Sequence, residues 1–510
     1  MSEATSLIEP LPQRGCVFWV QKFCSFPVAL AAVLGAIAFG IGRRGLADPD
    51  IWWHLRNAEY LLRTRQWIRA DSYSYTVAGH PWLNPEWLAE IPYYIAWRWF
   101  GLVGIKALSL LLLETIFSCL LYVCWRKSRN IKASAVACWL AVLLGTVSFG
   151  PRTILFGYIY LVLLLMVLEE FRSRGRGFLW VLPPLFCLWV NSHGSWFLGM
   201  IVFVIFTAAG TVEGRWRAVE ATKWSASQLR QLAAAGTASF LALFVNPYGY
   251  RLILYPFDMA FRQKLNIAHV AEWVSVDFHD ARGKVALLLL AVLLAGALLS
   301  TYRWRLEELA MVLFGMYAGL TYIRFLFLAG ILAAPVIANL FGFLPPYRRE
   351  IDKPVVNALL IAASLAFVWI GFPSSARLRG SVEREYPADV LPYLASHPPS
   401  GPVLNYYLWG GYLGWNDPGF KDFVDSRVDI FEYAGVFGDY LDLLDLNDAA
   451  AVLEKYHIRY VLFPVHDPLT YLLQHDPGWQ VVFRGDVSIL FEKAPSLAAS
   501  AKPSSPERGH

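Results

Sequence analysis

Residues 26–56 read FPVALAAVLGAIAFGIGRRGLADPDIWWHLR. No charged side chain occurs before Arg43, so this stretch opens with an apolar helix. Its length suits a bilayer core, which takes roughly 20 residues within a range of about 17–25. Two acids flanking a proline follow, Asp48-Pro49-Asp50. Ile51, Leu55, Ala58 and Leu62 then recur at helical spacing, which predicts an amphipathic helix over 51–65. A span, an acidic turn and an interface helix in that order describe a chain that crosses a membrane and sets polar groups at its surface.

Outward from this stretch the apolar element repeats. Candidate spans are 26–43, 102–125, 133–150, 153–170, 178–192, 195–212, 230–246, 284–301, 306–323, 325–343 and 354–373, about eleven in all. Charged residues make up 16% of the 510, against about a quarter in soluble chains, which excludes a wholly soluble protein. The six cysteines, Cys16 among them, lie in or beside apolar segments and none follows Cys187. Neither a disulfide framework nor a paired-cysteine zinc site is expected. The first span starts too far into the chain, and lacks the small-residue cleavage pattern, to be a signal peptide.

The net charge of +5 reflects loops rather than a nucleic-acid surface. Arg126, Lys127, Arg129 and Lys132 fill one connection, and Arg172, Arg174 and Arg176 fill the next but one. Arg215, Arg217 and Lys223 follow, then Arg303 and Arg305, then Arg348, Arg349 and Lys353. Every second connection is basic, and basic loops stay in the cytoplasm. The expected arrangement is a cytoplasmic N-terminus (1–25) and a transmembrane region (26–373). Its outer loops span 44–101 and 247–283, an extracytoplasmic domain spans 374–493, and a disordered tail spans 494–510. Arg43 and Arg44 oppose the rule, outweighed by five agreeing loops. A second interface helix is predicted over 86–100 from Trp87, Ile91, Tyr94, Ile95, Trp97 and Trp99. Beyond 374, strand-like runs at 402–405, 459–463, 479–484 and 487–492 alternate with helix-like runs at 386–396, 409–415 and 439–456, an α/β pattern.

With this topology, acids, histidines and arginines from separate connections share the outer surface. Asp48, Asp50, His54, Asp71 and Glu86 come from the first outer loop, and Arg152, Asn191, His193 and Arg324 from span ends. Asn246, His269, Glu272, Asp277, His279 and Asp280 come from the second large loop. Asp48-Pro49-Asp50 has two compatible readings. It is a helix start, with Asp48 as cap, or a pair of carboxylates that with His54 could ligate Mg²⁺ or Mn²⁺. Arg152 and Arg324 either snorkel to headgroups or bind a phosphate through the guanidinium fork. His193 reads first as a turn histidine bonded to backbone, and Glu272 to Asp280 as a solvated loop. Glu114, within a span, reads as a hydrogen-bonded interhelical contact.

This order of features resembles the GT-C glycosyltransferases: many spans, a large first outer loop with two interface helices, an acidic motif just past the first span, and an extracytoplasmic C-terminal domain. Asp48-Pro49-Asp50 stands where that motif is expected. Asp71-Ser72-Tyr73-Ser74-Tyr75, Trp82-Leu83-Asn84-Pro85-Glu86-Trp87-Leu88, Trp189-Val190-Asn191-Ser192-His193-Gly194, Asn246-Pro247-Tyr248-Gly249 and Arg324-Phe325 are similar to those of a bacterial group of this type. Trp409-Gly410-Gly411-Tyr412 and Asp425-Ser426-Arg427 loosely resemble the acceptor motif of oligosaccharyltransferases. The central Asp of that motif is missing, so an aromatic-glycine turn supporting a core is the preferred reading.

The resemblance implies a polytopic α-helical GT-C-like enzyme of a bacterial inner membrane. It would move a sugar from a polyprenyl-phosphate-linked donor to a lipid, glycan or protein acceptor at the outer face. Asp50, or else Asp48, is the expected general base, or the two hold Mg²⁺ or Mn²⁺ with His54. Arg152 and Arg324 would bind the donor phosphate. His193, Glu86, Trp82 and Trp53 would contact substrate, with Trp52 a further stacking surface. Partners are the donor lipid and the membrane, with no nucleic acid. No nucleotide-binding glycine loop is present, in keeping with a lipid-linked donor. Two rivals stand beside this reading, a transporter or flippase and a non-catalytic assembly subunit. The paired repeats usual in transporters are not evident.

The loop charges make a direct prediction. A reporter active only outside the cytoplasm should work when fused after residue 374 and be silent when fused near 129, 174 or 349; the reverse pattern would invert every site assignment.

Overall fold

The computed structural model describes residues 22–46, 48–175 and 177–494. Most of the expected N-terminal segment with Cys16, Arg176, and all but the first residue of the expected tail lie outside these.

Each apolar stretch forms a helix. They are Phe26–Gly42, Trp87–Ser128, Ile131–Gly145, Ile154–Arg174, Leu182–Ser192, Trp196–Ala209, Ala226–Ala242, Ala281–Leu299, Leu306–Thr321, Leu326–Leu340 and Pro354–Gly371. Among the described residues, 6 helical segments are long and apolar enough to cross a membrane, with three shorter apolar helices beside them. Ala226–Ala242 and Leu306–Thr321 fall outside both groups; the first carries Arg230 and the second opens on Glu307 and Glu308. The chain is a polytopic helical membrane protein whose C-terminal part contains a sheet.

Leu326–Leu340 is buried over nearly all its length, packed on Ile131–Gly145 and Leu306–Thr321. Phe26–Gly42 pairs with Pro354–Gly371. Arg43, which opposed the loop-charge rule, donates from Nη1 to the Gly371 carbonyl at 3.0 Å and lies over the Phe367 ring at 5.2 Å. It ties the end of the first apolar helix to the end of the last, where a cation meets unpaired carbonyls.

The two expected interface helices appear as Asp50–Thr64 and the first part of Trp87–Ser128. The latter bends at Gly101, whose φ of 58° and ψ of −143° suit glycine alone. A Cβ on Gly104 would meet the Ala96 carbonyl oxygen at 2.0 Å, so the turn from interface into bilayer needs both glycines. Glu114 rests against Gly35 of the first helix, as an interhelical contact but without a hydrogen-bond partner among the described residues.

At one end of the bundle the basic connections meet glutamates. Lys127 and Arg305 reach Glu308 at 2.5 Å each, Arg172 reaches Glu307 at 2.8 Å, and Arg126 reaches Glu170 at 2.7 Å. Arg305 also pairs with Glu169. A small sheet of β1 (Gly214–Trp216), β2 (Val219–Ala221) and β3 (Trp304–Arg305), not anticipated, closes this end.

The C-terminal part forms a second sheet from β4 (Val403–Asn405), β5 (Tyr460–Pro464), β6 (Trp479–Arg484) and β7 (Ser488–Lys493), in the order β4-β5-β7-β6. β4 and β5 are parallel and the other pairs antiparallel. All four strands lie where alternation placed them. The expected helix over 386–396 shortens to Leu391–Ser396. That over 439–456 divides into Val436–Leu444 and Ala449–Lys455, because Leu446 and Asp448 take left-handed backbone between them.

This part shares its core with the first outer loop. Trp53, Val77 and Trp82 pack with Leu404, Phe423 and Phe463. Arg427 clasps the two, pairing with Asp71 at 2.8 Å and Asp425 at 2.6 Å while lying 4.8 Å from both the Tyr73 and Trp82 rings. Removing one partner of a buried pair leaves an uncompensated charge, at about 3–5 kcal/mol. Asp71→Ala should therefore lower the unfolding free energy by up to about that much, Asp425 still holding Arg427, and speed proteolysis between the bundle and residue 400, measured on the purified protein.

Candidate functional site

The end of the bundle away from the glutamate network carries a cavity of about 710 Å³. Its wall is built from connections far apart in sequence: Asp48, Asp50 and Trp53, then Trp82 and Glu86, then Arg152, Tyr255, Glu272, Arg324 and Asp429. Of the expected site residues, His54 and His193 lie behind this lining rather than on it.

The acidic turn is both cap and wall. Asp48 Oδ1 accepts the Asp50 backbone N–H at 3.0 Å, which starts the helix. Its Oδ2 accepts from Arg152 Nε at 2.8 Å. The two Nη groups of Arg152 engage both oxygens of Glu272. Burial pushes the Asp48 carboxyl up to about 7, with Asp50 and Glu272 adding to the rise and Arg152 opposing it. Burial also works on Glu272, but Arg152 outweighs it and holds that carboxyl below its ordinary value. Asp50 turns its Oδ1 to Trp53 Nε1 at 3.3 Å, and the same indole N–H lies 3.1 Å from Ser426 Oγ.

Behind the turn runs a chain of acids and histidines. His54 places Nδ1 2.9 Å from Glu90 and Nε2 3.3 Å from Glu86. Glu86 also accepts from Thr153 at 2.7 Å and lies 3.3 Å from His193 Nε2. His193 Nδ1 accepts the Ser195 N–H at 3.0 Å, the backbone bond expected of a turn histidine. Burial, with Arg324 and Arg152 nearby, holds His193 well below its usual value, hence neutral. Burial raises Glu86 against the pull of His54 and Thr153.

The metal set expected from Asp48, Asp50 and His54 is not assembled. Both His54 nitrogens face glutamates, and Arg152 takes the Asp48 oxygen that would meet a cation. Among the described residues no three His, Cys, Asp or Glu side chains group as ligands. This donor set does not fit Mg²⁺ or Mn²⁺, and no step is built on either.

The arginines divide. Arg152, expected to hold phosphate, is saturated by two carboxylates. Arg324 lies over the Trp273 ring at 4.3 Å with its Nε buried and unpartnered. Arg44 and Arg282 line the same cavity, exposed and without an ion pair among the described residues. Glu272, read as part of a solvated loop, is a wall residue instead, while Asp277 and His279 beyond it are solvated.

Several contributors escaped sequence reading. Glu90, fully buried, accepts from Asn57 at 3.0 Å and Asn84 at 2.6 Å; an acid on an apolar interface helix was the available signal. Asp429 reaches the cavity from the C-terminal part, where burial pushes it to about 7 against Arg427, and Tyr255 donates to its Oδ2 at 3.3 Å. The Asp425-Ser426-Arg427 motif was its only marker.

No family model and no curated protein matches this chain. Solved structures do. The Archaeoglobus fulgidus oligosaccharyltransferase, tethered to an acceptor peptide containing an NVT sequon, is similar at a TM-score of 0.50 and 12% identity, over 94% of this chain and 75% of that one. ArnT from Cupriavidus metallidurans, bound to undecaprenyl phosphate, is similar at a TM-score of 0.50 and 12% identity, over 94% of this chain and 99% of that one. The chain shares its fold with these two proteins, as the resemblance drawn from its order of features led one to expect. At this identity the likeness is one of fold.

His54 gives a pH test. Burial alone would lower its imidazole, but the Glu90 hydrogen bond and the charges of Glu86, Glu90 and Asp50 together raise it above 6.5. A raised folded-state pKa contributes stability in full below the unfolded value and loses it as pH rises through the folded one. His54→Gln should therefore cost more thermal stability at about pH 6 than at about pH 9. An equal loss at both would mean that the ring packs there without its charge.

Proposed function

We propose that this protein is a membrane glycosyltransferase that transfers a sugar from a polyprenyl-phosphate-linked donor to an acceptor hydroxyl. The cavity would open on the extracytoplasmic face, beneath about eleven spans with a cytoplasmic N-terminus. One observation carries the reading: in a GT-C fold, a single cavity sets Asp50 and Asp48 beside three guanidinium groups, Arg44, Arg282 and Arg324, that make no ion pair among the described residues. Undecaprenyl phosphate in ArnT is a precedent for the donor class.

The chemistry follows from charge. The lipid tail stays among the helices while its phosphate meets the guanidinium of Arg324, a residue of the cavity wall. Arg44 and Arg282 supply further donors for the oxygen charge that grows as the sugar leaves. The acceptor oxygen forms the new bond to the anomeric carbon, and the bond from that carbon to the phosphate oxygen breaks. The acceptor proton passes to Asp50, whose carboxylate has a single weak indole donor and is otherwise turned to the cavity. Asp48 is the alternative base, but its ion pair with Arg152 suits it better to holding the turn. Trp53 and Trp82 offer rings against the sugar. Glu86 is part of the wall, and His193 supports it from behind.

The test uses purified protein and lipid-linked sugars. Asp50→Asn should lower transfer by roughly a hundredfold or more with near-normal melting. Arg324→Ala should weaken undecaprenyl phosphate binding and Arg324→Lys should do so in part, since charge remains but the fork is lost. Arg152→Ala should instead destabilise the fold. Full transfer by Asp50→Asn would remove the catalytic assignment.

A further inference from the structure

Next to the main cavity lies a second, of about 230 Å³. The two share three wall residues, Trp82, Tyr255 and Asp429. A molecule seated in the second therefore ends within reach of the first. Its remaining lining sets two tyrosines, two arginines and one aspartate among aliphatic residues. Tyr248 donates its hydroxyl to the Ile68 carbonyl at 3.0 Å, which fixes the ring. Tyr433 leaves about half its surface, 48%, exposed at the rim. Arg251 is exposed with no partner among the described residues, and Arg69 makes only a long 3.5 Å bond to the Pro247 carbonyl. Asp258, on the same wall, pairs with the exposed Arg262 at 3.4 Å and makes no ion pair with Arg251.

We propose that this second cavity is the acceptor site, and that the acceptor is a saccharide bearing a carboxylate. The inference rests on the transferase reading and deepens it. Rigid tyrosine and tryptophan faces match the apolar faces of sugar rings. Unpaired guanidinium groups beside them select a carboxylate, which they bind through paired N–H groups. The three shared residues then hold a hydroxyl of the same saccharide toward Asp50. Burial pushes the Asp429 carboxyl up to about 7, which reduces the negative charge it sets against such a ligand. An acidic peptide would satisfy the arginines but leave the ring faces unmatched.

The experiment uses the full chain in lipid nanodiscs, titrated with a hexuronate-containing trisaccharide, its neutral counterpart, an acidic peptide and, separately, undecaprenyl phosphate. The hexuronate ligand should bind roughly tenfold more tightly than the neutral one, a difference of about 1.4 kcal/mol. Arg251→Ala and Tyr433→Leu, both at exposed positions, should each weaken it by a similar factor and leave undecaprenyl phosphate affinity unchanged. Equal binding of the two saccharides, binding of neither, tighter binding of the peptide, or variants indistinguishable from wild type would overturn the proposal. Hexuronate binding that depends on Arg251 while undecaprenyl phosphate fails to bind would support the saccharide site and sink the donor reading alone.

Discussion

Arg152 sits in the short connection between two apolar helices, and all three guanidinium nitrogens are engaged, Nε by Asp48 and the two Nη groups by Glu272. A charge at the bilayer boundary that lacked partners would pay a desolvation penalty of several kcal/mol, so these contacts are a condition of burying it there. The pairing draws together the acidic turn after the first apolar helix and the segment from the second large loop. Those segments are more than two hundred residues apart in sequence, and little else joins them directly. The cavity wall is thus assembled around one arginine. Asp48 cannot move without exposing that cation, which makes the start of the Asp50–Thr64 helix rigid and fixes where Asp50 points.

Much of this was legible before any coordinates. Apolar stretches of bilayer length specify helices almost alone, since a backbone in lipid must satisfy its own hydrogen bonds. Short apolar runs separated by turn residues located all four C-terminal strands to within a few residues. Three things were hidden. Arg152 and Arg324 look the same in sequence, each at the end of an apolar run, and Glu272 lies beside both; only the engagement of its carboxylate by Arg152 separates the two. His54 was grouped with Asp48 and Asp50 by its spacing of one helical turn from Asp50. That spacing says nothing about Glu90, thirty-six residues on, which claims the ring. Asp429 depends on how the C-terminal part docks, and docking is set by the shared core around Trp53, Trp82 and Phe423, a long-range property with no local signature. In each case the missing information was the identity of a partner distant in the chain.

The two ends of the bundle carry similar kinds of charged residue and use them differently. At one end Lys127, Arg126, Arg172 and Arg305 are matched by Glu169, Glu170, Glu307 and Glu308, with little capacity left over. Such a network resists rearrangement, because shifting one member strands another in a low-dielectric setting. At the other end Arg152 is matched, but Arg44, Arg282 and Arg324 make no ion pair among the described residues, and they line one cavity of about 710 Å³ with Asp50. Unmatched cations are held there at an electrostatic cost that an anion can relieve on arrival. That asymmetry, rather than the presence of arginine or aspartate as such, is what the proposed binding surface rests on. On that proposal Arg152 has a place in the same cavity: by pairing with Asp48 and Glu272 it would keep two acids from repelling an incoming anion.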